Sequence, residues 1–533
     1  MNSIYDKLTT LDFIIVAVYL VTLLVIGYIV SVKQSKKNET LFLAGNSLNW
    51  YNIGFNMWGT NVGPSSLLAF ASIGYATGIV AGNFEWYAFV FLLLLAMVFA
   101  PRYIASKVST MPEYMGKRYG DSTQNILAWY ALVKILVSWL SLGLFSGGVL
   151  VRQILGIPMW QSVTVLVIFS GIFTFAGGLK AIAKVNVFQM ILLIVVSLTL
   201  SYLGLQKVGG IEALAAKTPS NFWNLVRPSD DASYPWPAIL LGYPVAAVAF
   251  FCTDQSMVQS VLGAKNLEQG QLGVNFIGWL KVMALPLFIL PGILCYALYP
   301  ELGSNSDLAY MTMVTNLFPS GMNGLVICVM IAVLVGTIGS SLNALSTVFT
   351  NDIYVKKINP TATIQDQIKI GRLTIAAGCV FAILIAVAID NIKGQNLFNI
   401  FQAVLGFLAP SLSVVFLLSV FWKRTTNKAV NATLSWGSAF SLFVGVLYLW
   451  IFPADKYPIW PHFLLISFYI FTVLLITAVI ISLTDKNPEV NVSDERDIPK
   501  TSKKVKLLFG LLGLTILVLY LVFNGNLKRS LWE

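Results

Sequence analysis

Long apolar runs separated by short polar stretches follow one another along almost the whole chain. A helix needs roughly 20 apolar residues to cross a bilayer. Fourteen runs meet that length, at about 11–32, 50–78, 81–101, 125–154, 158–178, 182–205, 236–262, 271–300, 321–351, 373–392, 397–422, 429–452, 460–484 and 505–524. The pattern predicts an all-α polytopic membrane protein with about 14 transmembrane helices in a single transmembrane domain, residues 1–533.

Helix-breaking residues interrupt two of these runs. The second run carries WGTNVGPSSL, with Gly59, Gly63 and Pro64 at its middle. The seventh carries LLGYPVAAVAFFCTDQ, residues 240–255, with Gly242 and Pro244. Broken backbone inside a membrane survives where it lines a cavity, and paired interruptions in corresponding halves point to a transport site. Helix kinks or close packing are the alternative explanation. We predict two broken helices.

The two interruptions lie five runs apart, which divides the chain into two units of five helices. The first repeat is predicted at 50–205 (helices 2–6) and the second at 236–422 (helices 7–11), with accessory helices at 11–32 and 429–524. An odd number of spans in each unit forces the second unit to be inverted relative to the first. The predicted core is therefore an inverted five-plus-five repeat.

Basic residues collect on alternate loops of this pattern. Most of the 34 Lys and Arg residues fall in loops such as 102–124, 352–372 and 485–506, and such loops face the cytoplasm. The predicted location is the cell (inner) membrane, multi-pass, with both the N-terminus and the C-terminus outside. The net charge of +11 then reflects loop sidedness rather than a nucleic-acid site.

Composition narrows the function classes. Hydrophobic residues make up 57% of the chain and charged residues 11%, which is too apolar for a soluble protein. Cys252, Cys295, Cys328 and Cys379 lie in apolar runs without a CxxC spacing, and His462 is the single histidine. We expect no disulfide framework and no enzyme. We expect contact with membrane lipid and no binding of nucleic acid. The expected oligomeric state is a monomer or weak dimer.

The stretch LVGTIGSSLNALSTVF, residues 334–349, places small polar groups inside an apolar run. On a helix Gly336, Ser340, Asn343 and Thr347 share one face, with Thr337 beside it. Close helix packing through small residues is one interpretation. A cation site built from hydroxyl and backbone carbonyl oxygens is the other. Composition leaves both open.

Ionisable residues inside predicted spans, among them Glu85, Lys134, Asp254 and Lys281, are candidate functional groups by default. Glu85 and Lys281 carry opposite charges on the third and eighth spans. They could pair directly, pair through a bound polar substrate, or form a purely structural ion pair. Lys134 could simply reach the membrane interface.

Several stretches together resemble the sodium:solute symporter family, and within it the sodium/glucose and sodium/galactose branch. They follow in matching order from about residue 10 to 450: FLAGNSLNWYNIG at 42–54, GGLKAIAKVNVFQ at 177–189, LPGILCYAL at 290–298, STVFTNDIY at 346–354 and FWKRTTNKA at 421–429. The resemblance implies a LeuT-like core and sodium-coupled alternating access, with Na⁺ as the coupling ion.

The resemblance also implies a sodium (metal) site. Its ligands would be backbone oxygens of Gly59, Val62 and Val333 together with the hydroxyl of Thr337. The family's other hydroxyl position is glycine here, Gly336, so one ligand is missing. Ser340, one turn further on, is the candidate replacement.

The implied substrate site is half retained. Asn61, Glu85, Lys281 and Gln402 match the sugar-binding positions, whereas Ser66, Trp139, Ala247 and Phe250 depart from them. The implied gates are Phe70, Phe84 and Phe398 on the outer side and Phe250 on the inner side.

Asn186 stands where the family usually has an aspartate associated with a second cation, so we expect one sodium per cycle. The predicted function is a sodium-coupled symporter importing a small polyhydroxylated solute, with a monosaccharide as the first expectation. A sodium symporter for an organic anion such as sialic acid or a uronate is the alternative, with Lys281 meeting the carboxylate. A transporter-like sensor or an ion channel is a third hypothesis.

Overall fold

The computed structural model describes residues 9–35, 42–231, 233–303, 305–319, 321–390, 397–453, 456–457, 460–486 and 498–524. Helices account for almost all regular structure in these ranges, which confirms the all-α prediction, and the β-pairing found there consists of two isolated bridges.

The helices are named in chain order, and short π-helical or 3₁₀ segments join several of them. The first half contains α1 (Thr10–Ser35), α2 (Trp50–Asn61), α3 (Pro64–Thr77), α4 (Gly82–Trp86), α5 (Ala88–Leu94), α6 (Ala100–Ala105), α7 (Met111–Tyr119), α8 (Asp121–Lys134), α9 (Leu142–Leu155), α10 (Met159–Val208) and α11 (Ile211–Lys217). The second half contains α12 (Tyr243–Ala247), α13 (Gln255–Leu262), α14 (Leu267–Val282), α15 (Leu290–Leu298), α16 (Ala309–Leu317), α17 (Met322–Val348), α18 (Ile364–Asp390), α19 (Leu397–Phe421), α20 (Asn427–Ala432), α21 (Ser438–Val446), α22 (Phe463–Thr484) and α23 (Lys503–Val522).

Eight helical stretches in the described ranges are long and apolar enough to cross a membrane: Ser66–Ala105, Asp121–Val149, Gly178–Val208, Met322–Ile358, Ile364–Asp390, Asn427–Leu449, Phe463–Thr484 and Lys503–Val522. Two bent pairs, Ala238–Cys252 with Gln255–Leu262 and Leu267–Val282 with Leu285–Leu298, raise that number to ten. Shorter apolar helices lie at Thr10–Leu23, Met159–Ile172 and Gly406–Phe421. The count of fourteen spans and the repeat boundaries stay predictions.

The break in the second predicted span lies where the sequence places it. Helix α2 ends at Asn61 and α3 begins at Pro64. Between them Val62 and Gly63 have extended backbone, with ψ angles of 99° and 168°. Pro64 suits the first position of α3, because the ring fixes φ and the missing N–H has no intrahelical partner there.

The seventh span breaks within the predicted stretch 240–255, but not at Gly242 and Pro244. Gly242 keeps a helical conformation, and Pro244 lies in the first turn of α12. The span instead breaks at Thr253 and Asp254, where the helices on either side bend by 46°. Asp254 caps α13 by accepting a hydrogen bond from the Ser256 N–H at 2.9 Å, which stabilises a new helix start.

Gly242 serves close packing rather than a break. A Cβ on Gly242 would lie 2.2 Å from the Leu464 carbonyl oxygen in α22. A real side chain at position 242 would therefore push the two helices apart. This is the alternative that the sequence left open for an isolated glycine.

Helices α10 and α17 form the centre of the molecule. They pack extensively on each other, and both also contact α1 and α2. Helix α10 contains two predicted spans joined at Gly178, whose φ of 52° and ψ of −151° interrupt the helix. This arrangement brings the α2 break, the polar stretch of α17 and residue 186 of α10 together.

The four cysteines are unpaired thiols. Cys252, Cys295 and Cys328 are buried and Cys379 is half-buried. Each lies in a helical region, as the apolar runs predict.

Candidate functional site

Four oxygen atoms converge where the α2 break meets α17. The Thr337 hydroxyl oxygen lies 3.1 Å from the carbonyl oxygens of Gly59 and Val333 and 3.5 Å from that of Val62. A hydroxyl carries one hydrogen, so it donates to only one of these three carbonyls at a time. The carbonyls of Gly59 and Val62 are free to face the hydroxyl because α2 stops there.

This donor set suits a small, hard monovalent cation. Hard cations prefer oxygen ligands, and all four oxygens are neutral. Carbonyls at the C-terminal end of a helix also carry partial negative charge. The four atoms are those that the family resemblance implies for sodium, and the structure brings them together.

The predicted fifth member, Ser340, is not joined to this group by a hydrogen bond. Its hydroxyl is buried and has no hydrogen-bond partner among the described residues. Its carbonyl oxygen accepts a hydrogen bond from the Gln259 side chain at 3.0 Å.

The two interpretations of the polar stretch in α17 apply to different parts of it. Thr337 faces the α2 break, whereas the later polar residues make packing contacts. The Asn343 amide donates to Gln259 at 3.0 Å, and the Ser346 hydroxyl donates to the Gly371 carbonyl at 2.9 Å. The second half of the stretch therefore holds helices together.

A central cavity of about 170 Å³ adjoins the oxygen cluster. Eight of the predicted site and gate residues line it: Asn61, Ser66, Phe70, Phe84, Glu85, Phe250, Lys281 and Thr337. Thr337 thus belongs to both the oxygen cluster and the cavity. The side chains of Phe398 and Gln402 lie outside the described part of the structure.

Glu85 and Lys281 form a direct ion pair in the cavity wall. The Lys281 ammonium donates to the Glu85 carboxylate at 2.8 Å, and the side chains are only 2% and 6% exposed. The Lys281 ammonium also lies 5.1 Å from the centre of the Phe251 ring. Both charges are therefore satisfied without a bridging substrate.

Polar groups near the α2 break remain available for a ligand. The Asn61 side-chain oxygen is buried and has no hydrogen-bond partner among the described residues. The Ser66 hydroxyl accepts a 3.3 Å hydrogen bond from the Gly63 N–H, and its own hydrogen can still be donated. The cavity therefore offers an amide and a hydroxyl on the same broken helix.

Aromatic residues from different helical segments line the cavity. Phe84 contacts the rings of Tyr234 and Tyr243 edge-on, with centroids 5.8 and 5.4 Å apart. The ring centroids of Phe250 and Trp139 are 5.1 Å apart.

Sequence reasoning missed Tyr243. Its hydroxyl donates to the Phe84 carbonyl at 2.6 Å, and its ring lines the cavity. The neighbouring Pro244 drew attention to a helix break, and the apolar pattern gave no sign that the tyrosine faces a cavity.

Lys134 forms a buried ion pair in the structure, whereas the sequence left open whether it reaches the membrane interface. Its ammonium lies 2.7 Å from the Asp254 carboxylate, and the two side chains are 7% and 2% exposed. Trp139 donates its indole N–H to the same carboxylate at 3.0 Å. Lys134 also lines both the central cavity and a smaller one beside the seventh-span break. Opposite charges in two apolar runs were the available signal.

The sodium:solute symporter family matches residues 41–435. The chain belongs to this family. The symporter is 32% identical over 475 residues to sodium/glucose cotransporter 4 of Mus musculus, covering 83% of this chain and 69% of the relative. It is 30% identical over 524 residues to sodium/myo-inositol cotransporter 2 of Oryctolagus cuniculus, covering 90% and 77%.

The symporter also shares its fold with a Na⁺-coupled sialic acid symporter solved in a substrate-bound outward-open state. The TM-score is 0.76 with 18% sequence identity, over 90% of this chain and 99% of the other. Family membership makes the protein a multi-pass membrane transporter rather than an enzyme, with sodium-coupled symport as its activity. The resemblance found in the sequence is thereby confirmed.

Proposed function

We propose that the symporter imports a small polyhydroxylated solute, in the first instance a monosaccharide, together with sodium by alternating access. The observation that carries this proposal is the group of four oxygens formed by the Thr337 hydroxyl and three carbonyls, directly beside a cavity lined by polar groups. The two relatives are named as a glucose cotransporter and a myo-inositol cotransporter, which supports a polyol substrate.

In this proposal sodium links the broken helix to α17. Gly59 and Val62 contribute from α2 and its break, and Val333 and Thr337 contribute from α17. Binding of the cation fixes the break in the position that also sets Asn61 and Ser66 in the cavity wall. Coupling needs only a difference in sodium affinity between two states, and about 1.4 kcal/mol gives a tenfold shift.

The sugar would lie among Asn61, Ser66, Glu85, Lys281 and Gln402. Hydroxyl groups both donate and accept, so a polyol can donate to the Asn61 oxygen and the Glu85 carboxylate and accept from the Lys281 ammonium. The aromatic residues Phe70, Phe84, Phe250 and Phe398 would close over it.

An organic anion such as sialic acid or a uronate is the second candidate, because Lys281 could meet a carboxylate. The direct Glu85–Lys281 pair at 2.8 Å argues against it. The pair is neutral as a whole, and an added anion would compete with Glu85 for the ammonium. A neutral polyol meets no such competition.

The remaining parts of the proposal concern membrane topology, oligomeric state and sodium stoichiometry. We place the symporter in the cell (inner) membrane with both termini outside, as a monomer or weak dimer. We also propose one sodium per cycle, because Asn186 cannot supply the charge that an aspartate would bring to a second cation.

A substrate panel tests the solute class. Purified symporter in sodium buffer is heated with glucose, galactose, myo-inositol, sialic acid or glucuronate, and the shift in melting temperature is measured. We expect stabilisation by at least one neutral polyol, lost in the same buffer with potassium and weakened in Asn61→Ala. Stabilisation by sialic acid or glucuronate alone would establish the anion alternative instead.

A further inference from the structure

Asn186 lies on α10 at the crossing with α2 and α17. Its side chain is completely buried, and its amide nitrogen donates to the Asn56 side-chain oxygen at 2.7 Å. Its amide oxygen has no hydrogen-bond partner among the described residues. Buried polar atoms without a partner are rare in folded proteins, and each calls for an explanation.

The amide oxygen of Asn186 occupies the space beside the missing hydroxyl position. A Cβ built on Gly336 would lie 2.5 Å from this oxygen and 3.4 Å from the Gly59 carbonyl oxygen. A side chain at position 336 and the present Asn186 conformation therefore exclude each other. The Asn186 oxygen therefore lies beside the position from which a serine side chain at 336 would extend.

We propose that the Asn186 amide oxygen is a sodium ligand, replacing the side-chain oxygen absent at Gly336. This inference rests on the proposed sodium site formed by Gly59, Val62, Val333 and Thr337. It assigns the missing ligand to α10 rather than to Ser340, so that sodium would tie together three helices instead of two.

A chain of hydrogen bonds holds the amide in the required orientation. The Asn56 amide nitrogen donates to the Ser260 hydroxyl oxygen at 2.7 Å, which turns the Asn56 oxygen towards Asn186. The Asn186 nitrogen donates to that oxygen, and its own oxygen therefore faces the opposite way, towards Gly336. Partners behind a ligand commonly fix its orientation in this way.

The chemistry of an amide oxygen suits sodium. It is a hard neutral donor with a large dipole, and such carbonyl oxygens are established ligands of hard cations. Burying an amide oxygen without a hydrogen-bond donor costs free energy, so coordination by a cation would offset that cost.

A relocated-oxygen experiment tests the proposal. Sodium-dependent shifts in melting temperature are titrated for purified wild type, Asn186→Ala, Gly336→Ser and the double variant Asn186→Ala/Gly336→Ser. We expect about tenfold weaker apparent sodium affinity in Asn186→Ala. Gly336→Ser alone should also weaken binding, because its side chain collides with Asn186. The double variant should recover affinity, since a hydroxyl then stands where the amide oxygen was removed.

Two controls separate a ligand from a structural residue. Asn56→Ala removes the hydrogen bond to Asn186 but keeps the Asn186 oxygen, so its sodium affinity should fall less than that of Asn186→Ala. Asn186→Leu, which is close in shape, replaces Asn186→Ala where the alanine variant does not fold. Equal losses in Asn56→Ala and Asn186→Ala, with no recovery in the double variant, would overturn the proposal.

Thr337→Ala distinguishes failure of this inference from failure of the proposed function. If Thr337→Ala loses the sodium response while Asn186→Ala keeps wild-type affinity, the site stands and Asn186 is not a ligand. If Thr337→Ala retains wild-type affinity, the proposed sodium site itself is wrong.

Discussion

At the scale of single residues, the buried ion pair Glu85–Lys281 has a high energetic cost. Taking two charges out of water is expensive, and pairing only partly offsets that cost. Replacing a buried ion pair with apolar residues of similar size is often neutral or stabilising for folding. The pair lines the central cavity, so binding a polar solute is the reason that we propose for its presence.

Removing one partner of this pair should destabilise the symporter strongly. Glu85→Gln leaves the Lys281 ammonium buried without its counter-charge, and we expect a loss of about 3–5 kcal/mol in unfolding free energy. The double variant Glu85→Gln/Lys281→Met should recover most of that loss in thermal unfolding but should not recover polyol binding. A double variant as unstable as the single one would show that the pair is not energetically linked.

The cation site shows which individual residues a family resemblance can predict and which it cannot. The resemblance named Gly59, Val62, Val333 and Thr337, and the structure brings the three carbonyl oxygens within 3.5 Å of the Thr337 hydroxyl oxygen. It could not supply the position of the Asn186 oxygen. That position depends on the packing of α10 against two other helices, which no local sequence pattern encodes.

At the scale of helices, glycine and proline led to one correct prediction of a helix break and one incorrect prediction. Gly63 and Pro64 mark the break between α2 and α3. Gly242 and Pro244 instead lie in continuous helix, and the break comes at Thr253 and Asp254. A glycine in a membrane helix permits either an irregular backbone or a close neighbour, and only the tertiary structure decides between the two.

The packing role of Gly242 is testable with a matched pair of variants. Gly242→Ala places a methyl group against the Leu464 carbonyl oxygen, and overpacking of this kind costs about 1–3 kcal/mol. Gly510→Ala in α23 places the same group where no atom lies within 4 Å, and it should be neutral or slightly stabilising.

The measurement for this pair is thermal unfolding of the purified variants in one detergent. The sodium response of Gly242→Ala, measured as in the titrations above, should stay at the wild-type level because the residue lies outside the oxygen cluster. Equal melting temperatures for the two glycine variants would contradict a packing role.

At the scale of the whole molecule, the pattern of apolar runs predicts the architecture well because the membrane imposes a simple rule. Backbone polar groups must be satisfied within each segment, so apolar runs become helices. The number of spans is less securely predicted, since runs such as 50–78 are divided between separate helices. The fold is shared with a protein of only 18% sequence identity, so similar helix packing is possible with largely different residues.

Coupling between the two solutes follows from the position of one residue. Thr337 contacts the carbonyl oxygens at the α2 break and also lines the central cavity. Asn61, the last residue of α2, lines the same cavity. Sodium and sugar would therefore stabilise the same conformation of α2, and each should raise the affinity for the other by the same factor.

Uptake of a labelled monosaccharide into proteoliposomes under an imposed sodium gradient tests this claim most directly. We expect the wild type to accumulate the polyol identified in the panel under a sodium gradient but not under an equal potassium gradient. Thr337→Ala should need about tenfold more sodium for half-maximal uptake, with the protein still folded. Uptake that follows a proton gradient and ignores sodium, or an unchanged sodium requirement in Thr337→Ala, would contradict the account.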